Sequence, residues 1–409
     1  MQLKEFEGKT VFRHYGLAVP AGAVVKDNAD VAQALRTCTI PVMVKAQIYA
    51  GRRGKAGGVK RCTTASEAEQ AVRQLLGSQL LGESVQEVLV EECLAVEQEH
   101  YAAATFDTTT RMPIIILSRQ GGMDIEEYQK MHPDKVIKLE VEALDGLREE
   151  QARQLAKLAG FTGDETESIV AVLLKLYDTF VKCDCKLAEI NPLIRTKDSR
   201  LIAGDAKVIL DDDATFRRPL QFSPRIGSRT LSERELAANK VNAEDYRGVA
   251  GKIYLDLDGD IGILASGGGA SVTAMDALIS YGGRPANYTE YSGNPTAEKV
   301  KKLAQIVLSK PGLAGCWIVG GTANFTRIDI TIQGIIDALI EAKPDYPIVV
   351  RRAGPGAKEA YAMLHDAAKK HGLDIHVFDE YTSITESAKI MVDLWKAYKT
   401  KRTMKEART

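Results

Sequence analysis

No uninterrupted apolar run of about 18 residues, the length a helix needs to cross a bilayer, occurs in this sequence. Its first residues, MQLKEFEGKTVFRHYG, mix acids with bases and hold no apolar stretch of the kind that marks a secretory signal. A soluble, non-exported, cytoplasmic chain is therefore expected. Neither sign of charge is in excess: 54 Lys and Arg stand against 55 Asp and Glu, a net of -1. Nucleic acid and anionic membranes are thereby set aside as main partners. Cysteine is sparse and unpatterned. The six, Cys38, Cys62, Cys93, Cys183, Cys185 and Cys316, form no CxxC pair and follow no disulfide-framework spacing, so reduced thiols are expected. Cys183 and Cys185 have no companion cluster to complete a metal site.

The 409 residues suffice for two or three domains. The first half reads as mixed strands and helices, an α+β pattern rather than a regular βαβ alternation. A helix ended by Gly16 and another over 28–36 precede the apolar, β-branched run IPVMVKAQI, a strand carrying Lys45. Directly after it, AGRRGKAGGVKR sets four glycines among five basic residues. Glycines let a backbone fold closely around an anion, and Lys45, Arg52, Arg53 and Lys55 supply charge, so a phosphate-covering loop is expected. It matches neither a Walker motif nor GxGxxG, and a basic hairpin turn has a similar composition. Strands VQEVLVEE, HYAAATFD and 112–118 follow, then helices over 148–159 and 165–182.

The stretch LAEINPLIRTKDSRLIAGDAKVIL, residues 187–210, reads as two strands around a polar turn at 196–200. Side chains alternate faces along a strand, so Glu189 shares a face with Asn191, and Asp205 with Lys207. A symmetric register sets Asn191 opposite Asp205 and Glu189 opposite Lys207. An amide oxygen beside a carboxylate suits Mg²⁺, which takes few protein ligands. An exposed cross-strand charge pair accounts for the same pattern. Residues 211–258 are charged and irregular, with one helical piece around 231–240, and mark a boundary between domains at 1–240 and 241–409, the linker starting near 211.

Beyond it the pattern changes. Strands over 261–265, 316–319 and 347–351 each run into a glycine-rich turn and a helix, and a strand over 375–378 precedes a last helix to about 399. Strand, short glycine turn, helix is the signature of a doubly wound parallel sheet, whose ligands lie at the carboxyl ends of the strands. The turns 266–271, 320–326 and 352–356, with Arg351 and Arg352, are expected at one rim suited to a polycarboxylate. Glycines also permit tight turns in any such sheet; the hydroxyls and amides of Ser266, Ser271, Thr322, Asn324 and Thr326 favour the site.

With these parts located, residues 1–400 resemble the β subunit of the succinyl-CoA synthetases, through VMVKAQIYAGRRGKAGGVK, VLVEE, and LAEINPLI with its partner GDAK. The second half departs from the succinate enzymes and is similar to the citrate-using branch, ATP-citrate lyase and citryl-CoA synthetase, through ASGGGASV, ANYTEYSGNP, VGGTANFT, VVRRAGP and IHVF. The resemblance implies an α+β ATP-grasp domain followed by an α/β doubly wound, flavodoxin-like ligase domain. It implies that Lys45, Arg52, Arg53 and Gly54 serve ATP phosphates, with Arg52 standing where succinate enzymes often have glycine, and that Glu91, Leu94 and Glu99 serve the adenosine side. Asn191 and Asp205 would hold Mg²⁺, and Glu189 would steady a phosphorylated histidine. Citrate would sit among Ser266, Gly267, Gly268, Gly269, Ala270, Ser271, Ser292, Gly293, Asn324, Phe325, Thr326, Arg351 and Arg352.

In that family ATP phosphorylates a histidine, the phosphate passes to a carboxylate, and coenzyme A displaces it. The six histidines here, at 14, 100, 132, 365, 371 and 376, lack the glycine- and alanine-flanked setting of the phosphohistidine. A partner subunit carrying that histidine, most of the coenzyme A site and, in a lyase, the cleaving domain is therefore implied, and with it a hetero-oligomer. Two other readings are a succinyl-CoA synthetase or other acyl-CoA ligase β subunit, and a non-catalytic nucleotide- or citrate-sensing subunit.

Overall fold

Helix α1 (Glu5–His14) is followed by four short strands, β1 (Gly22–Val25), β2 (Val42–Ala46), β3 (Val59–Cys62) and β4 (Val88–Glu92). They form an antiparallel sheet in the order β1-β4-β2-β3. Along β2, Val42, Val44 and Ala46 are buried while Met43 and Lys45 are half-buried, the alternation of a strand covered on one face. Helix α2 (Ala65–Leu75), capped by Thr64, supplies Ala68, Ala71, Val72 and Leu75 to that cover. A second antiparallel sheet has β5 (Val96–Phe106), β6 (Pro113–Ser118), β7 (Ile137–Glu140), β8 (Cys185–Thr196), β9 (Leu201–Ala203) and β10 (Lys207–Leu210). Its order is β9-β8-β5-β6-β7, with β10 also on β8. Helices α3 (Glu149–Leu158) and α4 (Gly163–Lys182) join Val11 and Phe12 of α1 in its core. This is the expected α+β arrangement.

The hairpin has the expected register. β8 pairs β9 through Leu193 and Ala203, and β10 through Glu189 and Lys207, so Asn191 and Asp205 hold facing positions across the gap between β9 and β10.

The chain divides into two compact units, Met1–Thr230 and Leu231–Thr409, and the computed structural model describes residues 1–223, 225–226 and 229–406. The division falls before the expected one because helix α5 (Glu233–Glu244), assigned from sequence to the first domain, packs on the sheet of the second unit, closed at its start by the Ser232–Glu235 capping box. That sheet comprises β11 (Val249–Asp256), β12 (Ile261–Ser266), β13 (Asn287–Ser292), β14 (Gly315–Thr322), β15 (Ile348–Ala353) and β16 (Ile375–Phe378), ordered β11-β13-β12-β14-β15-β16. All neighbours are parallel except β11, which runs antiparallel to β13. Helices α6 (Gly268–Ser280) and α10 (Ile384–Glu406) cover one face around Trp317. On the other face lie α7 (Ala297–Leu308), α8 (Ile328–Ala342) and α9 (Ala357–His371). The doubly wound expectation holds.

Three of these elements went unread in the sequence. β11 lay in the segment taken as irregular, and β13 with α7 lay in a stretch given no element. β13 is NYTEYS, whose buried positions are the polar Asn287 and Thr289 and the aromatic Tyr291. Asn287 is tolerated inside because its amide accepts from Ile263 N–H and donates to Ile263 C=O, both at 2.9 Å, and Thr289 donates to Ile253 C=O at 3.0 Å. A strand buried by polar ladders carries no apolar alternation to detect.

Helices α7 and α8 touch backbone to backbone: a Cβ at Gly334 would run into the carbonyl oxygen of Ala297. Helix propensity alone favours Gly334→Ala by about 1 kcal/mol, whereas overpacking costs about 1–3 kcal/mol. A net loss of stability in urea denaturation is expected; unchanged or increased stability would mean that the two helices do not meet in this way.

Candidate functional site

Glu5 and Lys9 are four apart on α1 and share one face of the helix. Glu5 Oε1 accepts from Lys9 at 2.7 Å and Lys45 at 2.9 Å, while Oε2 takes Arg53 and, at 3.3 Å, Gln47. Glu91 Oε1 lies 2.6 Å from Lys45, and Glu91 Oε2 lies 2.6 Å from Lys9. Both ammonium groups also donate to the carbonyl of Gly204, at 3.0 and 2.8 Å. Arg53 Nη2 reaches Asp205 Oδ1 at 3.1 Å, and its Nη1 donates to Ala46 C=O at 3.2 Å. Lys9, Lys45 and Arg53 are thus matched by Glu5, Glu91 and Asp205, with no net charge.

These contacts define the surroundings of the expected residues. Lys45 donates to Glu5 and Gly204 and forms an ion pair with Glu91 at 2.6 Å, so its charge is matched within the cluster. Burial works against its ammonium, but Glu5, Glu91 and Asp205 raise it above the ordinary lysine value. Glu91, expected on the adenosine side, is paired with the two lysines. Glu99 is exposed on β5 against Gly122, and Leu94 is half-buried beyond β4. Gly54 is exposed, and Arg52, with φ 60°, pairs with Asp124.

On the hairpin, Asn191 Oδ1 accepts from Gly122 N–H at 2.8 Å and its Nδ2 donates to Met123 C=O at 2.9 Å. The amide is oriented by the loop, with one lone pair of its oxygen left over. Asp205 keeps 39% of its side chain accessible. Glu189 is half-buried and bonded to the Tyr101 hydroxyl; burial pushes its carboxyl up, with Lys207 opposing. Among the described residues no group of three or more His, Cys, Asp or Glu could hold a metal; Asn191 and Asp205 bring one amide oxygen and one carboxylate to the hairpin gap.

In the second unit the parallel register sets Ser266 between Tyr291 and Gly320, and Val319 beside Arg351. The carboxyl ends of β13, β12, β14 and β15 therefore lie side by side, at the point where the strand order reverses. Gly267, Gly268, Gly269, Ala270 and Ser271 turn into α6, and Ser271 bonds to the Gly268 carbonyl at 2.6 Å and the Tyr288 hydroxyl at 2.9 Å. Ser292 and Gly293 end β13, and Asn294 Oδ1 accepts from Arg327 N–H at 3.1 Å, joining that turn to the Asn324-Phe325-Thr326 turn. Asn324 and Phe325 are exposed, Thr326 buried.

The two arginines separate. Adjacent residues of a strand face opposite ways, and Arg351 donates to the carbonyls of Gly320 at 2.7 Å, Thr382 at 2.8 Å and Glu380 at 3.2 Å. These bonds tie Gly320 and the loop at 380–382 to β15. Arg352 is 1% exposed; its Nε and Nη2 have no hydrogen-bond partner among the described residues, and its guanidinium stands 5.5 Å from the Tyr291 ring centroid. A Cβ at Gly320 would meet Arg352 Nη1 and Ser266 Cβ, so glycine lets the guanidinium lie against the β14 backbone.

Two family models cover this architecture: one described as an ATP-grasp domain matches residues 2–195, and one described as ATP citrate lyase citrate-binding matches residues 229–394. The succinate–CoA ligase (ADP-forming) subunit beta of Desulfurococcus amylolyticus is 34% identical over 395 residues, 96% of this chain and 99% of that protein. The chain belongs to the succinate–CoA ligase β-subunit family. A further β subunit of that name, from Chloroflexus aurantiacus, is 36% identical over 370 residues, 90% of this family member and 94% of its own length. Among solved structures, ATP citrate lyase from Methanothrix soehngenii in complex with citrate and coenzyme A aligns with a TM-score of 0.79 at 23% identity, over 96% of this chain and 99% of that one, which establishes a common fold. This β-type subunit thus joins an ATP-grasp domain of the ligase class to a citrate-binding-type domain.

Glu5, Lys9 and Tyr291 were missed from sequence. Glu5 and Lys9 have the spacing of an ordinary surface ion pair, and only the fold buries them. Burial tends to raise the Glu5 carboxyl, but Arg53, Lys45 and Lys9 hold it well below its ordinary 4.5. A depressed carboxyl contributes stability that is complete above its unfolded value and is lost as pH falls through the folded one. The wild-type melting temperature should therefore fall more steeply on acidification below 4.5 than that of Glu5→Gln, which has no charge to lose. Parallel curves would show Glu5 uncoupled from its cations.

Proposed function

We propose that this chain is the Mg-ATP- and citrate-binding subunit of an ATP-dependent citrate–CoA ligase or ATP-citrate lyase. It supports phosphorylation of a histidine on a partner subunit, then formation of citryl phosphate and citryl-CoA. A partner with a lyase domain would cleave the latter to acetyl-CoA and oxaloacetate. The observation that carries this reading is Arg352, a buried guanidinium with two nitrogens unpaired among the described residues, beside Gly320 and Ser266 and within the stretch that matches the citrate-binding model. A buried cation without an anion is costly, and a carboxylate bound through a forked contact offsets that cost.

In the first unit, Asn191 and Asp205 suit Mg²⁺, a hard cation content with two protein oxygens and substrate phosphates. The oriented amide and the accessible carboxylate fit that role. When bound, Mg²⁺ offsets charge on the transferring phosphoryl group. For Asp205 to face a metal its pair with Arg53 must open, and the N–H so released is available to a phosphoryl oxygen. Lys45 adds fixed positive charge and Gly54 a close backbone approach. Glu189, kept half-buried and hydrogen-bonded, would steady the incoming histidine. None of the chain's six histidines lies among these residues, and His100, the buried one, bonds to the Arg119 carbonyl; the nucleophile is assigned to the partner.

The relatives named for succinate favour a second reading, in which the carboxylate is succinate. Thermal shift of the purified chain separates the two. Citrate should raise the melting temperature and succinate should not, since a ligand stabilises the state it binds. Arg352→Lys keeps the charge but loses the fork, and should weaken citrate binding by roughly tenfold to a hundredfold, about 1.5–3 kcal/mol. Protection by succinate alone would transfer the assignment to the second reading.

Asp205→Ala in the complex with the partner subunit should lower citrate-dependent turnover by at least about tenfold, the scale of a weakened metal site. Undiminished turnover would indicate a sensing subunit. The chain without its partner should form no citryl-CoA; full turnover alone would refute this division of labour.

A further inference from the structure

We propose that Glu5 and Lys9 of α1 are positioning residues for the nucleotide's phosphates, an inference that rests on the Mg-ATP reading above. The side chains are 1% and 4% accessible, so no solvent competes for their charges. Through Glu5 pass Lys45, at the end of β2, and Arg53, in the basic loop. Through Lys9 pass Glu91, at the end of β4, and the carbonyl of Gly204, the residue before Asp205. One turn of helix thereby fixes every segment that brings a charged group to the proposed phosphate and magnesium site.

Neighbouring contacts extend the same grip to the start of the loop. Phe6 N–H donates to Gln47 Oε1 at 3.0 Å, and Glu7 holds Arg225 at 2.7 Å, whose other branch donates to the Tyr49 hydroxyl at 2.6 Å. A purely structural ion cluster would serve equally well with other partners. Here the partners are shared in a way that affects ligand binding: Glu5 and Asp205 divide the Arg53 guanidinium between them. Without Glu5, Arg53 has Asp205 as its remaining carboxylate, and Asp205 is drawn away from a metal. Without Lys9, Glu91 pulls on Lys45 alone and Gly204 loses one of its two donors.

The test is isothermal titration of the full chain with Mg-ATP and, separately, with adenosine. The variant Glu5→Gln/Lys9→Met removes one charge of each sign and keeps the cluster neutral. Its Mg-ATP affinity should fall by about tenfold or more, the value of a charge-assisted contact, with adenosine affinity unchanged and a higher Mg²⁺ concentration needed for half-saturation. Unaltered Mg-ATP affinity in a folded variant, or an equal loss for adenosine, overturns the proposal. Should the double variant fail to fold, Lys9→Arg, which keeps the charge but changes its shape, must give the same ATP-selective loss; an unchanged ratio of the two affinities there overturns it too. Wild-type chain that does not bind Mg-ATP refutes the underlying reading instead.

Discussion

Charge cannot be left unpaired in a protein interior, and the first unit is built around that rule. Lys9, Lys45 and Arg53 meet Glu5, Glu91 and Asp205 in one shared space. Removing these ions from water costs several kcal/mol each, and only close geometry with extra hydrogen bonds offsets it. The Gly204 and Ala46 carbonyls and the Gln47 amide supply those bonds. Helix α1 therefore acts as more than a cover for the second sheet. Its apolar side packs in that sheet's core through Val11 and Phe12, while Glu5 and Lys9 hold β2, β4 and the hairpin gap, so the two sheets are joined by electrostatics as well as by packing.

The second unit treats its buried cation the opposite way. Arg351 is satisfied by three carbonyls. Arg352, one residue on, forms no ion pair among the described residues and rests against the Tyr291 ring. Burial pushes the Tyr291 hydroxyl up, and the guanidinium opposes it. One unit is internally neutral where charges gather; the other buries a guanidinium that has no ion pair among the described residues.

Much of this was legible in the sequence because it rests on local rules. Strand, glycine turn and helix in succession identify a parallel doubly wound sheet, and alternation within the hairpin correctly placed Glu189 across from Lys207. What stayed hidden depends on distance in the chain. Glu5 and Asp205 are joined through Arg53 although 200 positions separate them, and no spacing rule links them. Arg351 and Arg352 looked alike as a pair, yet the period of the strand gives them different surroundings, carbonyls for one and the Tyr291 ring for the other. β13 was overlooked because its inward positions are polar and are satisfied only by β11 and β12 on either side. In the same way, a helix with the charge pattern of a solvated surface turned out to bury its ion pair.

Strand β11 has a consequence for how these molecules behave when crowded. A parallel sheet ending at β13 would offer a stranger a row of unsatisfied amides. β11 occupies that border, runs against the grain of its neighbour, and slips register between Ala250 and Tyr254, with Lys252 and Ile253 exposed at the irregularity. A kinked margin bearing a lysine is a poor template for strand addition, so cross-molecular sheet extension, a common start of fibrous aggregation, is discouraged on that flank.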